Sequence, residues 1–97
     1  MAIIDDVKLA LRISGTTYDN ELNDLIAAAK ADLSYSGIDA AKVDNLGVMD
    51  PLIKRAIVLY CKSNFGLDNA DSEKYYNCYR QLETHLALSE DYQLVVV

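Results

Sequence analysis

The chain is poor in the residues that punctuate β structure. Its 97 residues include four glycines, one proline and no tryptophan. Strands at regular spacing with Gly/Pro turns are not visible, which argues against an all-β fold. Histidine occurs once and cysteine twice, as Cys61 and Cys78, with no CxxC spacing. No stretch reaches the roughly 18 apolar residues that a membrane span needs. The opening "MAIIDDVK" has no basic region followed by an apolar core, so no secretory signal is expected. Basic residues are outnumbered as well. Nine Lys and Arg face fifteen Asp and Glu, for a formal charge of −6. That balance lacks the general basic footprint that neutralises phosphates. It is compatible with lying beside DNA without gripping it, or with acting as an acidic mimic of DNA.

What is present is the composition of a folded domain. Hydrophobic residues make up 52% and charged residues 25%, which argues against disorder. Residues 1–97 are expected to form a single domain, large enough to fold alone with a modest margin that self-association would widen. Both cysteines fall on apolar helical faces and are expected to be free, buried thiols, in keeping with a reducing cytoplasm. A disulfide or a reactive thiol is the less favoured alternative.

Four helices are expected. "DDVKLALRI" (5–13) reads as a short first helix, with Asp5 as cap, Asp6 favourable to the dipole, and Ile4 stapled on Leu9. Gly15 is its expected stop. "DNELNDLIAAAKADLSY" (19–35) is amphipathic. Leu22, Leu25, Ile26, Ala29 and Leu33 share one face, and Asn23, Asp24, Lys30 and Asp32 take much of the wet side. Thr17 or Asp19 is expected to cap it, and Ser36–Gly37 to end it. Residues 38–50 read as a connection. Asp50–Pro51 then announces a helix start, running to Phe65 with Gly66 as stop. Its middle, "AIVLYC", is apolar without interruption, so this helix should be surrounded by protein. The last helix runs from about Ser72 to Leu88 with Tyr75, Cys78, Tyr79, Leu82 and Leu86 on its apolar stripe. The tail "SEDYQLVVV" favours an extended state. It either seeks a partner groove or strand, or frays as termini do. The expected fold class is therefore all-α: a small bundle of four principal helices, with an extended C-terminal tail as one of two readings.

The search for chemistry is negative. Cys78 and His85 share a helix face but lie roughly 10 Å apart along the axis, too far for one metal ion. His85 with Cys61 has no motif behind it. The acid pairs Asp5–Asp6, Asp19 with Glu21, and Glu90–Asp91 sit at helix ends or in the tail, with no apolar setting that would prepare one of them for proton transfer. "SGTT" and "YSGI" are too short for phosphate loops. No catalytic, cofactor-binding or metal-binding residue is assigned, and no cofactor is expected.

Surface is the more informative feature. Of the seven tyrosines, Tyr60, Tyr75 and Tyr79 read as core, while Tyr18, Tyr35, Tyr76 and Tyr92 have weaker core assignments. Tyrosine is favoured at protein interfaces. Lys54, Arg55 and Lys62 form a narrow basic stripe in an acidic protein. The stripe is most simply a solvated face. It would otherwise dock on Asp5, Asp6, Asp19 or Glu21 of an identical neighbour, and complementary patches on different sides of one molecule give head-to-tail rings or filaments. The candidate interface residues are thus Asp5, Asp6, Asp19, Glu21, Lys54, Arg55, Lys62, Tyr76 and Tyr92.

The order "IDDVKLALRIS", "YDNELNDLIAAAKADL", "DPLIKRAIVLYCKSNFG" and "YRQLETHLALSEDY" resembles the head–tail connector proteins of tailed bacteriophages, also labelled DNA-packaging proteins of the QLRG type. The resemblance runs from about Ile3 to Tyr92, and the "VVV" ending lies beyond it. It implies a structural adaptor of a phage or prophage, not an enzyme. It implies a ring under the portal protein, dodecameric to match the portal, that joins head to tail and extends the DNA channel. The partners implied are the chain itself, the portal, and a head-completion or tail-joining protein. DNA would pass through without sequence-specific binding, no membrane would be involved, and the protein would reside at the head–tail junction of the virion. The alternative is a small acidic helical binding module, a DNA mimic or host-protein inhibitor. Its acids would cluster on one face; here they are scattered along caps and loops.

Overall fold

A computed structural model of the chain describes residues 3–38, 51–65 and 71–88. The described residues form four helices: α1 (Ile3–Leu11), α2 (Asp19–Tyr35), α3 (Pro51–Asn64) and α4 (Ser72–Leu88). The expected all-α bundle is what forms. The tail, Gly66 and the 39–50 connection lie outside the described residues.

α3 is the central element, because its sequence offers apolar side chains on most sides. Ile53, Ala56, Ile57, Val58, Leu59 and Cys61 are all buried. The other three helices all pack on it. Tyr18 at the start of α2 meets Phe65 just past the end of α3, so α2 and α3 are antiparallel. Lys62 near the end of α3 lies over Tyr75 near the start of α4, and Tyr60 meets Tyr79 one turn further on. α4 therefore also runs against α3, and α2 and α4 point the same way on its flanks. α2 contributes Leu22, Ile26, Ala29 and Leu33 to the core, α1 contributes Val7, and α4 contributes Tyr79 and Leu86.

The helix ends show where local rules held and where packing overrode them. α2 stops as expected at Ser36–Gly37. Gly37 takes φ 96, its N–H donates to Ser34, and the N–H of Ile38 reaches back to Leu33. That is a Schellman closure, and Ile38 is buried as its hydrophobic clasp. The same closure ends α1, but at Arg12 rather than Gly15. Arg12 stands at φ 59, donating to Leu9, while Ile13 donates to Lys8. The turn tucks Ile13 against the core, and that burial offsets the cost of holding a non-glycine residue in the left-handed region.

Other expectations need correction. α1 begins at Ile3, so Asp5 lies within the first turn instead of capping it. Leu9 is 75% exposed, so it forms no staple with Ile4. Neither Thr17 nor Asp19 caps α2. Tyr18 occupies the cap position without a side-chain cap hydrogen bond. Its ring stands edge-on to Phe65 at 5.4 Å. Asp19 is the first helical residue and turns to Lys8 of α1. At the end of α3, the Ser63 hydroxyl and the Asn64 side-chain amide both donate back to the Tyr60 carbonyl, at 2.7 and 2.9 Å.

Candidate assembly surface

The described candidate interface residues are distributed over all four helices, and several are already engaged within the chain. Asp6 of α1 pairs with Lys54 of α3 at 3.5 Å, and Asp19 of α2 pairs with Lys8 of α1 at 2.7 Å. The solvent-sealed oxygen of each aspartate is the one facing the ammonium group. Each pair ties one helix to another. Lys62 lies 5.0 Å above the Tyr75 ring, a cation–π contact that holds α3 to α4. Part of the acidic and basic sets therefore meets inside one molecule. Asp5, Glu21 and Arg55 are exposed. Tyr76 is 45% exposed, and Tyr92 lies outside the described residues.

The exposed large side chains add to this surface. Tyr35 is 91% exposed at the end of α2, and Leu88 and Leu9 are also largely exposed. Tyr76 leans on Tyr79, with ring centroids 6.3 Å apart. One side of α4 thus presents a tyrosine edge to solvent while the other fills the core.

Beneath that edge is a polar junction between α2 and α4. Tyr79 is fully buried, yet its hydroxyl lies 2.5 Å from Asp32 Oδ2 and 3.1 Å from Glu83 Oε2. Arg80 donates to Glu83 Oε1 at 2.7 Å. Glu83 is the one buried charged residue among those described, 2% exposed. Burial pushes Glu83 above its ordinary carboxylate value, and the adjacent Asp32 adds to the effect, against an opposing contribution from the Ser36 hydroxyl. Burial also pushes Asp32 upward, but hydrogen bonds from Glu83 and Tyr79 and the charge of Arg80 outweigh it, so its carboxyl ends below the ordinary value. Tyr79 and Tyr60 are both raised, first by burial and then by Asp32.

This junction corrects the placement of Asp32 on the wet side of α2, and Glu83 went unsingled on α4. A signal for both exists. Asp32 stands seven residues after Leu25 and three after Ala29, on the edge of the apolar stripe. Glu83 stands four after Tyr79 and three before Leu86. The stripe of α4 is corrected too: Tyr79 and Leu86 are buried, Tyr75 and Leu82 are half-buried, but Cys78 is exposed. Both cysteines are free; Cys61 is buried and Cys78 is not. Burial pushes the Cys61 thiol up to about 12, which leaves it protonated and unreactive at neutral pH. His85 is exposed, on a different footing from buried Cys61. Among the described residues, no three His, Cys, Asp or Glu side chains are grouped to hold a metal ion. No described helix is long and apolar enough to cross a membrane.

The arrangement therefore offers hydrophobic and tyrosine edges with charged flanks, which is the equipment of protein–protein contact. In comparisons with known proteins, a family model described as "Phage connector protein" matches residues 3–93. No curated protein and no solved structure matches the chain.

Proposed function

The chain belongs to the phage connector protein family, and from that membership we propose that it is the adaptor that joins head to tail beneath the portal. Copies assemble as a ring, dodecameric in register with the portal. The ring extends the DNA channel and presents a surface to the next head-completion or tail-joining protein. The observation that carries this reading is the family match across nearly the whole length of the chain. The outward Tyr35, Tyr76, Leu9 and Leu88 support it, since each leaves apolar area to be covered by another protein. The formal charge of −6 supports passage of DNA, because an acidic wall repels phosphates and lets them slide where a basic wall would hold them.

In this reading, ring contacts use the α1 and early α2 acids on one side and the basic residues of α3 with α4 on the other. Arg55 and Glu21 are the best probes. Lys54 and Asp6 are less suitable, because reversing either also breaks the contact they make with each other. Native mass spectrometry of the protein, alone and mixed with its portal, tests the proposal. The expected result is ring-sized assemblies with the portal, weakened by Arg55→Glu and by Glu21→Lys. No assembly with the portal would overturn the adaptor reading. Unchanged assembly by both variants would remove these residues from the contact.

A further inference from the structure

We propose that Asp32, Tyr79 and Glu83 form a proton-dependent clasp: Glu83 keeps a proton that completes a hydrogen-bond chain from α4 to α2, and losing it loosens the C-terminal half of α4. The argument begins from proton counting. The Tyr79 hydroxyl has one proton and faces two carboxyl groups, at 2.5 Å and 3.1 Å. The shorter contact takes it, so Tyr79 donates to Asp32. Two carboxylates would then leave the 3.1 Å contact between Glu83 Oε2 and the hydroxyl oxygen with no hydrogen to share. A proton on Glu83 removes the conflict, because it serves either the Tyr79 hydroxyl or Asp32, the carboxylate with which Glu83 also hydrogen-bonds. Oε1 of the same carboxylic acid remains an acceptor for Arg80. The hydrogen bonds then all run in one direction, from Arg80 and Glu83 toward Asp32.

Electrostatics agree with this assignment. The groups facing Glu83 are Asp32 of α2, Ser36 just past its end, and Tyr79 and Arg80 of α4, while Tyr60 of α3 and Tyr76 of α4 flank the Tyr79 ring. Arg80 is their only cation among the described residues, and it is half exposed, so water screens it. With Glu83 protonated, Asp32 and Arg80 balance. When Glu83 releases its proton to water, the junction carries one uncompensated negative charge in a setting where Glu83 is only 2% exposed. Like charges that close disfavour joint ionisation.

The direction of the pH effect follows. Glu83 is raised in the folded protein, so its contribution is complete below 4.5 and is lost as pH rises through its folded value. Asp32 is lowered, so its contribution is present above 3.8 and is lost as pH falls through its folded value. α4 should be held most tightly between those two limits. This goes beyond the connector reading and does not depend on it, since it concerns the isolated chain.

The test is a carboxyl-carbon NMR titration of the labelled protein, with amide hydrogen exchange along α4 followed over the same pH series. The expected result is a Glu83 midpoint above 4.5 and an Asp32 midpoint below 3.8. Exchange near Glu83 should quicken as Glu83 ionises, beyond the base-catalysed rise shared by α2. In Glu83→Gln, whose amide can still donate to Tyr79, that excess should vanish. A wild-type Glu83 midpoint at or below 4.5 would overturn the proposal. So would α4 exchange that tracks α2 throughout the series. Both overturning results come from the wild-type chain, so the test stands even if a variant folds poorly.

Discussion

Replacing Tyr79 by Phe isolates one hydroxyl. The ring can stay where it is, edge-on to Tyr60 with centroids 5.2 Å apart, and its apolar burial is unchanged. What disappears is a hydrogen bond to a carboxylate and the acceptor for Glu83. A hydrogen bond to a charged group contributes roughly 1.5–3 kcal/mol. Asp32 is half-buried, so water can replace part of what it loses, and Glu83 cannot be reached so easily. The expected destabilisation is about 2 kcal/mol. For a domain of this size that lowers Tm by roughly 8–16 °C. Urea unfolding at a pH between 3.8 and 4.5, where Asp32 is ionised and Glu83 protonated, followed by circular dichroism and by tyrosine fluorescence (the chain has no tryptophan), measures it. The slope with denaturant should not change, because the same surface is exposed on unfolding. Asp32→Asn and the double variant complete a cycle, and a coupling of about 1 kcal/mol or more is expected for groups in direct contact. Tyr76→Phe, at an exposed ring, is the control and should stay within about 0.5 kcal/mol of wild type. A Tyr79→Phe protein as stable as the control, or one whose effect simply adds to that of Asp32→Asn, would refute the reasoning.

Three further outcomes are expected. Ile57→Ala, at a fully buried position on the central helix, should cost about 2–5 kcal/mol in urea unfolding, whereas Leu9→Ser should cost under about 0.5 kcal/mol. Arg12→Gly should stabilise the fold by about 1 kcal/mol by relieving the left-handed residue that closes α1, while Gly37→Ala should destabilise by a similar amount; paired thermal melts would show the opposite signs. A thiol reagent added to native protein should modify Cys78 promptly and Cys61 only on unfolding, a distinction read by peptide mass mapping before and after denaturant.

Which candidate interface residues reach solvent was partly legible from residue type alone. Arg55 and Glu21, singled out as surface charges, are exposed, and so is Tyr76, whose core assignment was weak. Asp6, Asp19, Lys54 and Lys62 read as surface charges too, but the chain engages each of them across helices. Spacing along one helix reports which residues share a face. It carries no information on which residue of another helix stands opposite.

The amino-acid sequence on its own determined the helices and most of their limits. α2 and α4 occupy the expected spans, and α3 starts at Pro51 as expected and ends one residue early. Period, proline and glycine signals act through neighbours a few residues away, so no tertiary information is needed to read them. The centrality of α3 followed as well, since a helix apolar on most sides has few stable places but the middle. Only the tertiary structure decided the fate of side chains at the edges of stripes. Asp32 and Glu83 became a junction because α2 and α4, both packed on α3, meet at Tyr79, Cys78 was left exposed by the rotation of α4, and Arg12 was driven left-handed so that Ile13 could reach the core. In each case the free energy comes from contact between distant segments, which sequence proximity does not encode.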